Sequence, residues 1–348
     1  MTDFSSRLIV WQKQHGRHDL PWQNTTDPYA IWVSEIMLQQ TQVTAVIGYY
    51  SKFMQRFPTI AALADATQDE VLQHWSGLGY YSRARNLHNA AQTIMDEHGG
   101  VFPQDFATIQ ALPGIGRSTA AAIASFAFNQ VQTILDGNVK RVLARHFAVE
   151  GWPGTPKIEK ELWSLAESLL PKTEMVAYTQ GLMDLGATLC SRSRPQCLNC
   201  PLLASCQAYR QQRVNQLPTP KPRKATPEKH TIMLILLQGD SVMLEKRPPS
   251  GIWGGLWSFP ELEQGSDYTD IVQQRFGMSV CPQKALPELS HAFTHFKLHI
   301  TPQPLQVNGP LAKTGEPGQV WLSIADALGA AIPTPVRKIL QTLLIEGT

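Results

Sequence analysis

Through residues 1 to about 212, apolar positions return every three or four residues, in helix-length runs interrupted by Gly and Pro. The opening MTDFSSRLIVWQKQHG has the pattern of an amphipathic helix. Further helices are expected over Tyr29–Phe57, Thr67–His74, Ala84–His98, Phe106–Ala111, Arg117–Phe128, Gly137–Ala148, Ile158–Leu170 and Met175–Leu189. Strand-like alternation is scarce in this part. The character changes after Gln216, where LPTPKPRKATPEKH has no period and is dense in Pro and basic residues, as extended linkers are. Beyond it come short β-like runs at Thr231–Leu237, Ser241–Lys246, Leu256–Phe259, Phe296–Gln303 and Gln319–Ser323, with helical candidates at Tyr268–Phe276 and Pro335–Leu343. The pattern predicts an all-α domain over residues 1–216, a linker over 217–229 and an α+β domain over 230–348.

Composition supports two domains, since 348 residues exceed what one hydrophobic core usually organises. No apolar run approaches the roughly 20 residues that span a bilayer, and the N-terminus lacks a secretory build, so the expected compartment is cytoplasmic. The net charge of +2 says little, but its distribution says more. Arg192, Arg194, Arg210, Arg213, Lys221, Arg223, Lys224 and Lys229 face the single acid Glu228 between residues 192 and 229. Such a stripe suits a phosphate backbone, and equally a solvated linker.

Four of the five cysteines follow the spacing C-x6-C-x2-C-x5-C, as Cys190, Cys197, Cys200 and Cys206; Cys281 stands apart. In a reducing compartment, cysteines this dense favour a metal over disulfides. Four thiolates with no nearby His suit zinc or a 4Fe–4S cluster. Zinc ribbons usually set two C-x2-C knuckles apart in sequence, so one compact loop carrying all four ligands fits the cubane better. At the end of a helical domain this spacing resembles the iron–sulfur loop of the endonuclease III family of DNA glycosylases. The resemblance implies a loop that seldom does chemistry and whose Arg192 and Arg194 meet DNA phosphates.

LPGIGRSTA (Leu112–Ala120) joins two helical segments. Gly114 and Gly116 are expected to let the backbone turn with its amides exposed, beside the positive end of the next helix, forming a phosphate seat indifferent to base sequence. Spacing alone also fits an ordinary connection between packed helices; the full L-P-G-hydrophobic-G string resembles the helix-hairpin-helix signature. Bifunctional relatives such as endonuclease III carry a lysine nucleophile four residues after the first glycine, where this chain has Ser118. Base removal without a covalent lyase step is the expectation.

Two acids suit the cleavage of an N-glycosidic bond, which needs a proton for the departing base and a charge to face a cation-like sugar. Glu35, among Val33, Ile36, Met37 and Leu38, would be desolvated and hold its proton. Asp136, before Gly137 and Asn138 at a helix start, would be held as an anion by exposed amides. Taken singly, Asp136 is also an ordinary N-cap and Glu35 an ordinary helix residue. Both segments resemble those of the A/G-specific adenine DNA glycosylases, a match that runs along nearly the whole chain. The resemblance implies that Glu35 protonates adenine N7, that Asp136 stabilises the oxocarbenium ion, and that Asn138 helps place the water. It further implies that Gln40 and Tyr80 wedge into the duplex so that the base can flip out. Trp22 would wall the adenine pocket, and Gln180 would add polarity to it.

WGGLWSFPE (Trp253–Glu261) is similar to Nudix folds, but SDYTDIVQQRFG lacks the glutamate cluster that holds Mg²⁺ for pyrophosphate hydrolysis. In adenine glycosylases this domain senses 8-oxoguanine through a Phe-Ser-His loop, matched here by Phe293, Thr294 and His295. The threonine keeps the hydroxyl donor. The full expectation is a helix-hairpin-helix glycosylase domain with one 4Fe–4S cluster and a Nudix-like lesion-recognition domain. It acts as a monomer at the nucleoid on double-stranded DNA with adenine opposite 8-oxoguanine or G; further repair proteins are candidate partners, and no membrane is involved.

Overall fold

The structure is a computed structural model and describes residues 3–222, 225–265, 267–309 and 318–346. Arg223 and Lys224 of the basic stripe lie outside the described residues. The chain forms two compact units, Met1–Asp65 with Asn86–Arg223, and Ala66–Arg85 with Lys224–Thr348.

The first unit is helical. It is built from α1 (Asp3–His15), α2 (Pro28–Leu38), α3 (Val43–Arg56), α4 (Ile60–Ala64), α7 (Phe106–Ala111), α8 (Arg117–Phe128), α9 (Gly137–His146), α10 (Pro156–Ser168), α11 (Met175–Asp184) and the short α12 (Gln207–Arg210). Between α4 and α7 in sequence come α5 (Gln68–Trp75), which belongs to the second unit, and α6 (Ser82–His98), whose first turn belongs to the second unit and the rest to the first. Leu8, Ala121, Ile134, Val139, Leu143, Leu162, Tyr178 and Leu185 share one core, which α1, α8, α9, α10 and α11 close from different sides. Burial of such side chains contributes roughly 1.5–3 kcal/mol each.

Two expected helices are interrupted. Tyr29–Phe57 is two helices, broken where Gln40 takes a left-handed φ of 57°. Met175–Leu189 ends as a helix at Asp184 and continues as a π-type turn over Leu185–Leu189, in which the Cys190 amide reaches the Leu185 carbonyl at 2.7 Å.

In the second unit an eight-stranded sheet has the strands β1 (Glu228–Gln238), β2 (Ser241–Lys246), β3 (Trp257–Ser258), β4 (Glu261–Leu262), β5 (Ser279–Pro282), β6 (Leu289–Ala292), β7 (Lys297–Asn308) and β8 (Gln319–Ser323). β1 and β7 run parallel at its centre, from Glu228 beside Lys297 to Leu237 beside Gln306; the β2, β4, β5 and β6 pairings to them are antiparallel. Helices α13 (Tyr268–Phe276), α14 (Ile324–Gly329) and α15 (Thr334–Glu346) complete the unit. Leu234, Leu236, Met243, Val272 and Leu305 form a core cluster. Residues 66–85 join this unit through polar ties: Asp69 pairs with Lys246 and accepts from Trp257 Nε1 at 3.2 Å, and Ser76 Oγ donates to the Ile332 carbonyl at 2.8 Å. No described helix is long and apolar enough to cross a membrane.

Candidate active site

α2 begins at Pro28, with the Asp27 carboxylate accepting the Tyr29 amide at 3.0 Å, and buries nearly every side chain. Glu35 is the polar exception. It lies deep in the protein yet opens on a cavity of about 350 Å³, which Trp22, Gln180, Arg17 and Leu38 also line. Trp22 is buried, with its ring edge-on to Tyr50 at 5.3 Å. Gln180 donates to Asp184 at 2.8 Å, and Asp184, fully buried, is paired with Arg17 at 2.7 Å. Sequence reasoning missed this Arg17–Asp184 anchor. The four-residue spacing of Gln180 and Asp184 on one helix face was visible, but their partner stands 167 residues away.

Burial, and secondarily the charge of Asp136, push the Glu35 carboxyl up to about 8. Among the described residues no group donates a hydrogen bond to it, so nothing compensates ionisation. Asp136 differs. It caps α9, accepting the Val139 amide at 2.8 Å and the Asn138 side-chain amide at 3.4 Å. Burial raises its carboxyl, against the expectation that exposed amides would hold it low; the Val139 and Asn138 amides and Arg141 pull it back. The two buried carboxyls thus differ in surroundings: Glu35 has no donor to offset its burial, whereas donors and Arg141 oppose the rise at Asp136.

Three side chains tie the segments around Asp136 to their neighbours. Ser118 Oγ accepts the amide of Leu135, the residue just before it, at 2.9 Å, so this hydroxyl is engaged in holding the cap segment. Arg141, one turn along α9, donates to Asn138 Oδ1 and to the Gly186 carbonyl, both at 2.7 Å, and to the Cys190 carbonyl at 2.8 Å. Arg145, a further turn on, reaches Cys190 Sγ at 3.3 Å and the Ser191 and Arg192 carbonyls at 2.7 and 3.2 Å. Gly186 must be glycine, because a Cβ there would come within 2.6 Å of Asn138 Cβ.

Cys190, Cys197, Cys200 and Cys206 line one small cavity. Burial pushes the Cys200 thiol up to about 12; the neighbouring cysteines add to the rise and the Leu202 amide opposes it. Burial raises Cys197 and Cys206 as well. Four thiolates in such a place need a cationic group among them, which is the fit an iron–sulfur centre requires. Arg192 and Arg194 are exposed on the same loop.

Of the two hairpin glycines only Gly114 needs to be one: its φ is +77°, and a Cβ would meet Asn86 Cβ at 2.6 Å. Gly116 corrects the expectation, since its φ of −85° suits any residue. Its contribution is open space and an uncapped helix: nothing lies within 4 Å of where a Cβ would stand, and no side chain caps α8. The amides of the first turn are thus presented outward.

Gln40 and Tyr80 both have left-handed backbones, with φ of 57° and 48°, and Tyr80 is 42% exposed. Non-glycine residues accept that conformation at a cost, which points to a role for the side chains it projects. Tyr80 lines a cavity of about 530 Å³ in the second unit, together with Trp253, Phe293, Thr294 and His295. Phe293 sits between the rings of Trp253 at 5.4 Å and Phe296 at 4.6 Å, and its amide closes the turn onto the Phe296 carbonyl at 2.8 Å. Thr294 Oγ1 lies 3.3 Å from His295 Nδ1.

Residues 33–168 match the HhH-GPD superfamily of base excision DNA repair proteins, and residues 231–342 match the NUDIX domain. A thermostable thymine-DNA glycosylase superposes with a TM-score of 0.55 at 30% identity, over 60% of this chain and 95% of that one. An endonuclease III seen bound to DNA shares the fold with a TM-score of 0.51 at 24% identity, over 61% of this chain and 98% of that one. The adenine DNA glycosylase of Buchnera aphidicola subsp. Baizongia pistaciae (strain Bp) is 39% identical over 98% of this chain and 96% of its own length. The adenine DNA glycosylase of Homo sapiens is 34% identical over 98% of this chain and 74% of its own length. With that similarity running along almost its entire length, the chain belongs to the adenine DNA glycosylase family.

Proposed function

We propose that this chain hydrolyses the N-glycosidic bond of adenine opposite 8-oxoguanine or G in duplex DNA, with no lyase step. The observation that carries the reading is a carboxyl pushed up to about 8, opening on a cavity beside Trp22 and raised in part by the charge of a second carboxylate. At pH 7 Glu35 holds a proton for the departing base, and Asp136 turns a donor-stabilised charge toward the sugar as it becomes cationic. Asn138, bonded to Asp136 and steered by Arg141, orients the carboxylate and the incoming water. A lyase step needs an amine; at Ser118 there is a hydroxyl already engaged by the Leu135 amide.

The base reaches the cavity by leaving the stack, a cost of a few kcal/mol that Gln40 and Tyr80 offset by filling the gap. Phosphates rest on the Gly114–Gly116 hairpin and near Arg192 and Arg194. The cavity shared by Tyr80, Phe293, Thr294 and His295 suits an oxidised purine, stacked on rings and hydrogen-bonded to the Thr294 hydroxyl. Cys190, Cys197, Cys200 and Cys206 would hold one 4Fe–4S cluster, which when bound supplies a rigid, charge-compensating centre for the loop.

A duplex with one A·8-oxoguanine pair tests the proposal. Strand breaks that appear only after alkali are expected. Breaks without alkali would show a lyase, and no adenine release would overturn the assignment.

A further inference from the structure

β6 and β7 are the two arms of the hairpin whose turn carries Phe293, Thr294 and His295, and β1 lies along the far side of β7. The register sets Ser290 beside His299 and His299 beside His230. Side chains alternate along a strand, so Glu228, two residues before His230, shares the sheet face of His230 and His299. Glu288, two residues before Ser290, reaches the same place. His299 Nδ1 lies 2.9 Å from Glu288 Oε1, and His230 stacks on the His299 ring with centroids 4.7 Å apart and planes 15° from parallel. His299 Nε2 is buried and makes no hydrogen bond; Glu228 Oε2, at 3.3 Å, stands outside hydrogen-bond geometry.

An ion pair around His299 alone would leave two features without a reason: the stacked second imidazole and the unsatisfied nitrogen. A metal ion accounts for both. One ligand atom from each of His230, Glu288 and His299 lies within 4.8 Å of the others, and binding a zinc-class ion about 2.0–2.2 Å from each would draw them closer together. Two imidazoles and a carboxylate, with a second carboxylate alongside, balance a divalent charge. Nitrogen donors select zinc-class ions over Mg²⁺ and Ca²⁺, which take oxygen.

We propose that His230, Glu288 and His299, with Glu228 beside them, bind one divalent cation of the zinc class. The ion ties the residue entering β6 to β7 and β1 beneath the Phe293–His295 turn and so stiffens that turn. This site stands apart from the carboxylates of the hydrolytic reading, and its test needs no glycosylase assay.

Holoprotein whose visible absorption shows an intact iron–sulfur chromophore is dialysed against zinc, and bound zinc and iron are counted by elemental analysis. One zinc per chain is expected beyond the iron. His299→Ala and His230→Gln should each lose it, with iron content unchanged; His230 is exposed, so His230→Gln remains informative if His299→Ala folds poorly. Glu228→Gln should weaken zinc by about 10- to 100-fold, as losses of groups supporting a metal's ligands do. Hydrogen exchange of a peptide spanning residues 288–300 should slow when zinc is added to wild type and not to His230→Gln. No zinc uptake by wild type, or equal uptake by His230→Gln, would overturn the site. Uptake without slower exchange would overturn the stiffening.

Discussion

Replacing Glu35 with Gln should make the protein more stable and catalytically inert, and the gain in stability should depend on pH. In the unfolded chain Glu35 titrates near its ordinary 4.5; in the fold it titrates at about 8. Below pH 4.5 the group is protonated in both states, so Gln, which mimics the protonated acid, changes little. From there upward the unfolded chain loses the proton and the fold keeps it. Every pH unit then costs the native state about 1.4 kcal/mol, reaching about 3 kcal/mol at pH 7 and levelling above pH 8. Urea unfolding of wild type and Glu35→Gln at pH 5, 6, 7 and 8 should give curves that diverge with rising pH, wild type being the less stable. The same titration predicts that single-turnover adenine release by wild type falls about tenfold per pH unit above 8. A stability difference that is the same at every pH would refute the view that Glu35 is held as an acid, and an active Glu35→Gln protein would refute its role as proton donor.

Gly186→Ala should destabilise the protein by about 1–3 kcal/mol in urea, because the new methyl must displace Asn138, and should slow single-turnover cleavage more than it weakens DNA binding. Gly114→Ala adds a clash with Asn86 to an unfavourable φ; affinity for undamaged duplex should fall and chemistry on bound substrate should change little, as equilibrium binding and single-turnover rates would reveal. Thr294→Val keeps the shape and removes the hydroxyl, so the preference for A·8-oxoguanine over A·G should shrink by up to about tenfold in competition assays while A·G cleavage stays constant.

The helical first domain, the cysteine loop and the pairing of a desolvated glutamate with a capping aspartate could all be read from the chain, because each has a local cause: a 3.6-residue period, a spacing, a helix start. What escaped was set by distant partners. Gln39 to Gln42 contain neither Gly nor Pro, so the apolar period ran on through the break; Gln40 turns left-handed there, and Gln39 Nε2 reaches Thr119 Oγ1, eighty residues away, at 3.2 Å. β5 and β6 are mostly exposed and owe their conformation to pairing with β7. β7 was expected to end at Gln303 and runs on to Asn308 through Pro302 and Pro304, residues that usually break ladders. It continues because their carbonyls, and hence their nitrogens, face the 283–287 segment rather than β1, where no donor is missed. The grouping of residues 66–85 with the second unit likewise rests on Asp69 and Ser76, ordinary polar residues until their partners are known.

Ten residues of α9 explain why a loop remote in sequence belongs to the same site as the carboxylates. Asp136 caps this helix, Asn138 sits in its first turn, and Arg141 and Arg145 follow at helical spacing on the side that meets Cys190. A guanidinium that binds three or four carbonyls cannot move without leaving several acceptors unsatisfied, each costing about 1–3 kcal/mol. The cysteine loop is therefore held to α9 more firmly than hydrophobic packing alone would hold it. Any shift of the loop moves Arg141, hence Asn138, hence the amide that Asp136 accepts. The cysteine loop is thereby tied, through Arg141 and Arg145, to the helix end on which Asp136 stands, while Glu35 sits separately among the buried side chains of α2.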